Sequence, residues 1–146
     1  MCFLVFVCAL CLLIFTYMSS YYEQLIKPEW APPAFLFGPV WTVLYVLIIV
    51  SFGYVVYLYT QKKISFVVLL PFLLNVIFNV LFTPLQFGLE SNVLALIDIV
   101  LVLGTLIWAM VVIFPHARWV TYVQIPYLLW VSFATVLQVS ITYLNW

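Results

Sequence analysis

The sequence predicts an all-α integral membrane bundle of five transmembrane helices. Of its 146 residues, 69% are hydrophobic and 5% charged, and the mean hydropathy is +1.33. A water-soluble domain carries about a quarter charged residues to cover its surface. The few charges cut the chain into apolar runs of the length needed to cross hydrocarbon as a helix, roughly 20 residues. No period-two alternation runs through these segments, and an open sheet cannot satisfy its backbone in lipid.

The runs Met1–Tyr22, Ala31–Gln61, Ile64–Leu89, Ile99–Pro115 and Trp119–Trp146 hold no Asp, Glu, Lys or Arg. With turn chemistry allowed for, they place spans near 2–19, 38–60, 64–85, 92–114 and 119–144, in one domain over 1–146. The first run has no Lys/Arg n-region and no small-residue cleavage end, so it reads as a retained span rather than a signal peptide. Lys62–Lys63, Gln86–Ser91 and Pro115–Arg118 mark short turns between antiparallel neighbours. The first connection, about 20–37, is longer. It holds Lys27, Pro28, Glu29, Trp30, Pro32 and Pro33; its prolines stiffen it against a regular helix, and its aromatics suit a membrane interface.

Basic residues in short loops set orientation. Lys62, Lys63 and Arg118 fall on the face shared with the N-terminus, whereas Lys27 falls opposite with Glu23, Glu29 and Glu90. In a bacterial inner membrane this predicts a cytoplasmic N-terminus; in a eukaryote the expected site is the mitochondrial outer membrane.

Composition also excludes functions. Four basic residues and zero net charge leave no footprint for nucleic acid. Cys2, Cys8 and Cys11 all lie in the first run; a CxxC in an apolar helix without nearby charge reads as small buried hydrophobes. His116 stands in a turn with no Cys or carboxylate near it in sequence. No HExxH, P-loop, GxSxG or paired-carboxylate motif is present, so no metal and no cofactor is expected.

Chemistry then rests on polar residues inside the spans. Asp98 lies deep in the fourth, where a carboxylate costs a few kcal/mol to insert, so it should face protein or water and have a partner. It is either functional or a hydrogen-bonded acid locking helices together. Asn75 and Asn79 share a face of the third span; such amides join helices or line a cavity, and Gln138 in the fifth span poses the same choice. Trp41 and Tyr45 share one face of the second span, and Trp130, Ala134 and Gln138 share one of the fifth. Ala134 leaves room opposite Trp130, a surface suited to a flat apolar ligand or to ordinary packing.

The first connection carries a more specific signal. Tyr21-Tyr22, then Lys27-Pro28-Glu29-Trp30-Ala31-Pro32-Pro33, then Phe37-Gly38-Pro39-Val40-Trp41-Thr42-Val43-Leu44-Tyr45 resembles the translocator protein family, which includes the peripheral-type benzodiazepine receptor and the bacterial tryptophan-rich sensory proteins. Asn79 through Phe87-Gly88 to Ala95-Leu96-Ile97-Asp98, and Pro126-Tyr127-Leu128-Leu129-Trp130-Val131-Ser132-Phe133-Ala134, agree in order and spacing. The resemblance covers nearly the whole chain.

It implies a five-helix bundle with a pocket near the long first loop, binding protoporphyrin, haem-related tetrapyrroles or other flat hydrophobic ligands, with homodimers common. By position, the pocket would include Tyr22, Pro33, Trp41, Tyr45, Asn75, Asn79, Asp98, Trp130 and Ala134, with Gln138 where the family has asparagine. Trp41 and Trp130 match the tryptophans linked to light-dependent porphyrin breakdown. The sequence departs from the pattern at Tyr21, Phe82 and Leu94, where tryptophans are usual. After Tyr143 only Leu144, Asn145 and Trp146 follow, so the cholesterol-associated pattern is incomplete and cholesterol transport is the least expected role. The resulting expectation is a membrane receptor or carrier for tetrapyrroles in stress or pigment regulation. The alternatives are a light-dependent porphyrin-degrading enzyme and a structural membrane protein without a ligand.

Overall fold

The computed structural model describes residues 21–146, and the regular elements among them are all helical. A 3-10 turn at Ala34–Leu36 leads into α1 (Phe37–Thr60); α2 (Phe66–Thr83), α3 (Asn92–Ile113), α4 (Arg118–Val123) and α5 (Ile125–Leu144) follow. Four stretches are long and apolar enough to cross a membrane: Ala34–Thr60, Phe66–Gly88, Asn92–Ile113 and Ile125–Leu144. They match the second to fifth expected spans. The first, 2–19, lies outside the described residues, as do Cys2, Cys8 and Cys11.

The helix ends follow from local chemistry. Beyond α1, the Lys63 N–H reaches the Leu58 carbonyl (2.9 Å) and the Lys62 N–H the Tyr59 carbonyl (2.9 Å). This terminating pattern needs a left-handed residue, and Lys62 takes that conformation (φ 57°). Pro71, buried within α2, removes the donor that the Val67 carbonyl would otherwise receive. Pro84 does the same for Val80, and from there the chain widens into one π turn, Pro84–Gly88, closed by the Leu89 N–H on the Pro84 carbonyl at 2.9 Å. The expected turn at Gln86–Ser91 is therefore partly helical. α3 starts at Ser91, whose hydroxyl accepts the Leu94 N–H.

The fifth span was expected as one helix over 119–144, and the structure divides it at Gln124. Pro126 has no N–H to give the Tyr122 carbonyl. The Gln124 N–H still bonds the Val120 carbonyl at 3.2 Å, so the chain bends rather than stops. The buried Gln124 amide also donates to the Ser51 hydroxyl of α1, pinning the bend to its neighbour.

α3 is the centre of the bundle, flanked by α2 and α5, while α1 rests against α2 and α4. The core runs through Leu44, Ile48 and Val55 of α1, Leu69 and Phe72 of α2, Val102, Leu106, Ala109 and Ile113 of α3, and Val131 of α5. Phe52 and Phe72 meet edge to face at 4.8 Å. Large apolar side chains such as Ile49, Leu101, Val111 and Leu129 point outward, as lipid requires. Lys62, Lys63 and Arg118 lie at one end of the bundle, and Glu90 and the first loop at the other.

The inside-out surface gives a test. Leu106→Ala opens a cavity in α3 and should lower stability by about 3 kcal/mol. Leu101→Ala, on the lipid-facing side of the same helix, should change it by less than about 0.5 kcal/mol. Thermal unfolding in detergent distinguishes the two; equal losses would mean that α3 faces differently.

Candidate functional site

The expected first loop, about 20–37, is helical over 21–24 and irregular only from Leu25, and both parts are folded onto the bundle by specific bonds. Asn145, just past α5, reads both backbone groups of Ile26: its Oδ1 accepts the Ile26 N–H (3.0 Å) and its Nδ2 donates to the Ile26 carbonyl (2.9 Å). The Tyr21 hydroxyl donates to the Glu90 carbonyl, and the Tyr22 hydroxyl to the Pro32 carbonyl at 3.1 Å. Lys27 holds its ammonium 4.6 Å from the centre of the Tyr22 ring. Burial pushes the Tyr22 phenol up from its usual pKa.

From this loop an aromatic chain runs into the bundle. Tyr22 meets Phe37 at 5.3 Å, Phe37 meets Trp130 at 5.8 Å, Trp130 meets Phe133 at 5.6 Å, and Trp30 closes on Phe133 at 5.9 Å. Trp130 and Phe133 also line a cleft of about 630 Å³ between α1 and α5, with Pro39, Val40, Val43 and Leu44 opposite. The indole Nε1 of Trp130 is buried without a hydrogen-bond partner.

A second cleft of about 380 Å³ opens between α1 and α2; Tyr45, Asn75, Asn79 and Tyr127 contribute its polar atoms among walls such as Ile49, Phe52 and Leu73. Here the hydrogen bonds form a connected chain. The Tyr45 hydroxyl donates to Asn79 Oδ1 (3.2 Å), Asn79 Nδ2 to the Tyr127 hydroxyl (2.8 Å), and that hydroxyl to Asn75 Oδ1 (3.1 Å). Asn75 Nδ2 then donates to the Val102 carbonyl (2.8 Å) and to Thr105 (3.1 Å) on α3. Trp41 lies against this chain, 5.3 Å from Tyr45 and 6.3 Å from Tyr127 between ring centres.

The structure therefore groups the expected site residues in three places. Trp41, Tyr45, Asn75 and Asn79 belong to the α1/α2 side; Tyr22 and Trp130 belong to the aromatic chain under the loop, where Pro33 precedes the 3-10 turn. Gln138 stands apart, nearer the loop end: its Nε2 donates to Gln86 Oε1 (2.9 Å) and to the Asn92 carbonyl (3.2 Å), while Gln86 Nε2 donates to Asn92 Oδ1 (3.0 Å). Ala134 packs against the main core, and Asp98 is buried with Oδ2 unpartnered. Tyr127 was missed in the sequence, although it shares the helical face of Val131, Ala134 and Gln138. Phe37 and Phe133 were missed as well, because an apolar ring carries no signal of its own in so aromatic a chain.

Two substitutions separate structure from site. Gln138→Leu strands the Gln86 Oε1, while the Asn92 carbonyl keeps the Thr142 hydroxyl, and should cost about 1–2 kcal/mol of stability, read as a lower unfolding midpoint. Asn145→Ala releases both bonds to Ile26; faster amide exchange at Ile26 and faster cleavage after Glu29 by a glutamyl endopeptidase are expected. Unchanged exchange would mean that the loop is held by its aromatics alone.

Similarity to known proteins agrees with these features. A model of the TspO/MBR family matches residues 2–144. The chain is 33% identical over 127 residues to the tryptophan-rich protein TspO of Chlorobaculum tepidum, covering 87% of this chain and 80% of that one. It is 31% identical over 134 residues to the tryptophan-rich protein TspO of Archaeoglobus fulgidus, covering 88% and 82%. It is 30% identical over 103 residues to protein CrtK of Rhodobacter capsulatus, covering 70% and 64%. With its apolar helices and aromatic first loop, the chain is a multi-pass membrane protein that belongs to the TspO/MBR family.

Proposed function

We propose that this protein is a membrane receptor or carrier for flat hydrophobic ligands, tetrapyrroles such as protoporphyrin first among them, acting in stress or pigment regulation. The observation that carries the reading is the aromatic-edged cleft between α1 and α5 beneath the first loop. Its volume of about 630 Å³ falls within the usual range of ligand pockets, about 300–1,000 Å³. Trp130 at its edge offers a flat face and a buried N–H with no protein partner, an amphipathic combination suited to a planar ligand with a polar atom. The same reading takes 2–19 as a fifth crossing, a bacterial inner membrane as the setting and a homodimer as the assembly.

A second reading has its own support. Trp41 touches two phenols, Tyr45 and Tyr127, so a hole formed on the indole has oxidisable neighbours. That arrangement suits light-dependent porphyrin breakdown, in which light supplies the energy and dioxygen the oxidant.

Titration of purified protein with protoporphyrin in the dark, followed by tryptophan fluorescence, tests the first reading; saturable quenching is expected. Illumination with product analysis tests the second. A Trp41→Phe, Trp130→Phe double variant keeps the aromatic surface but loses both indoles. Binding should weaken only modestly while any breakdown stops. Breakdown at the parent's rate would remove tryptophan from that chemistry, and absence of dark binding would sink the receptor reading.

A further inference from the structure

Charge is divided unevenly between the two ends of the bundle. Lys62, Lys63 and Arg118 lie at one end, where the described residues include no carboxylate. Glu23, Glu29 and Glu90 belong to the loop end, and Asp98 to the interior of α3. None of the three basic groups therefore has an ion-pair partner among the described residues. Lys62 holds the left-handed conformation (φ 57°) that favours glycine. A lysine there carries backbone strain, and an outlier of that kind points to a use for the side chain. The Arg118 guanidinium lies over the Phe114 ring at 5.4 Å, which orients it and leaves its N–H edge for an anion.

Register brings these groups to one seam. Gln124 bonds Ser51, and Trp119 meets Tyr54 at 5.0 Å between ring centres, so α4 runs antiparallel to the end of α1. Continuing that register, Arg118 stands level with Val56, about 9 Å along the axis from Lys62 at the rise of an α-helix. One phosphodiester between an extended arginine and an extended lysine bridges that distance. Below it, Tyr54, Tyr57 and Trp119 form an aromatic wall across both helices, with Tyr57 6.2 Å from Tyr54. Tyr57 and Trp119 are exposed, and so is Tyr122, one turn along α4 on the face of Arg118. No described residue bonds the hydroxyl of Tyr57 or Tyr122.

We propose that this seam binds the headgroup of an anionic phospholipid. Arg118 and the Lys62–Lys63 pair hold its phosphate, and the Tyr54–Trp119 wall meets its glycerol and upper acyl chain. Charge selects the lipid: a phosphatidylcholine headgroup brings its own cation, whereas phosphatidylglycerol leaves the phosphate charge for the protein. Aromatic rings suit the boundary between headgroup and hydrocarbon, where one side is apolar and the other wet. The site is separate from the two clefts and stands independently of what they bind. Each basic group beside an anionic headgroup changes affinity by about fivefold, so the set together gives a preference of about tenfold or more.

Bromine quenches tryptophan on contact, which makes Trp119 a reporter. The protein is placed in vesicles of equimolar phosphatidylcholine and phosphatidylglycerol, with bromine on the upper acyl chains of one lipid or the other. Subtracting the signal of a Trp119→Phe variant isolates that residue. Brominated phosphatidylglycerol should occupy the site about tenfold better than brominated phosphatidylcholine. Arg118→Gln alone should remove about fivefold of the preference, and an Arg118→Gln, Lys62→Gln, Lys63→Gln triple variant should abolish it. Equal quenching of the triple variant by the two lipids also reports that Trp119 still faces them. Lys27→Gln, at the opposite end, should keep the preference. A preference below about twofold in the parent, or one that survives the triple variant, would overturn the proposal. So would an equal loss in Lys27→Gln, because that marks an effect of net charge rather than a site.

Discussion

Hydrocarbon offers a polar group no partner except another part of the protein, and two rungs of side-chain hydrogen bonds use that constraint to hold α2, α3 and α5 together. One rung joins Asn75 and Asn79 to Tyr127 and to the Val102 carbonyl; the other joins Gln86, Gln138 and Asn92. Each draws on all three helices, so sliding any one of them breaks bonds at both ends. α1 carries no amide in its span. Its Thr42, Ser51 and Thr60 hydroxyls turn back onto their own helix, and side-chain hydrogen bonds tie it to its neighbours at Tyr45–Asn79 and Gln124–Ser51. The clefts accordingly lie along α1, one on each side, between a cross-linked slab and a wall held mostly by apolar packing.

The spans were legible because charge is scarce. With so few Lys, Arg, Asp and Glu, the uncharged intervals mark three of the four described crossings, and turn chemistry recovers the start of the other, which Asp98 interrupts. Hydropathy is blind to backbone donors, however, and so it missed the break at Gln124 and the π turn after Pro84. Both arise from a proline that leaves a carbonyl without its N–H, a change no apolar count records. Spacing on a helix likewise names the face of a residue but not its partner. It put Asn75 with Asn79, and Trp130 with Ala134 and Gln138, yet the structure gives Asn75 and Gln138 to interhelical bonds and sends Trp130 toward Phe37 and Phe133. Tyr127 connects both asparagines and touches Trp41; its importance lies in contacts from three helices, which a linear reading does not contain.

The departures from the family pattern have physical consequences. Gln138 stands where asparagine is usual, and its additional methylene gives the amide the reach to meet both Gln86 and the Asn92 carbonyl from α5. Tyr21, in place of tryptophan, places a phenol on the Glu90 carbonyl and a ring edge on Phe87 at 5.8 Å, tying the loop to the turn before α3. Leu94 is 42% exposed near the start of that helix. By contrast, Trp41 and Trp130 are both kept, and each sits in a cluster of rings beside α1. The polar rungs spend their donors and acceptors on holding helices together. Left outside both rungs are the flat faces of these rings, together with the Trp130 Nε1 and the Asp98 Oδ2, each buried without a hydrogen-bond partner among the described residues.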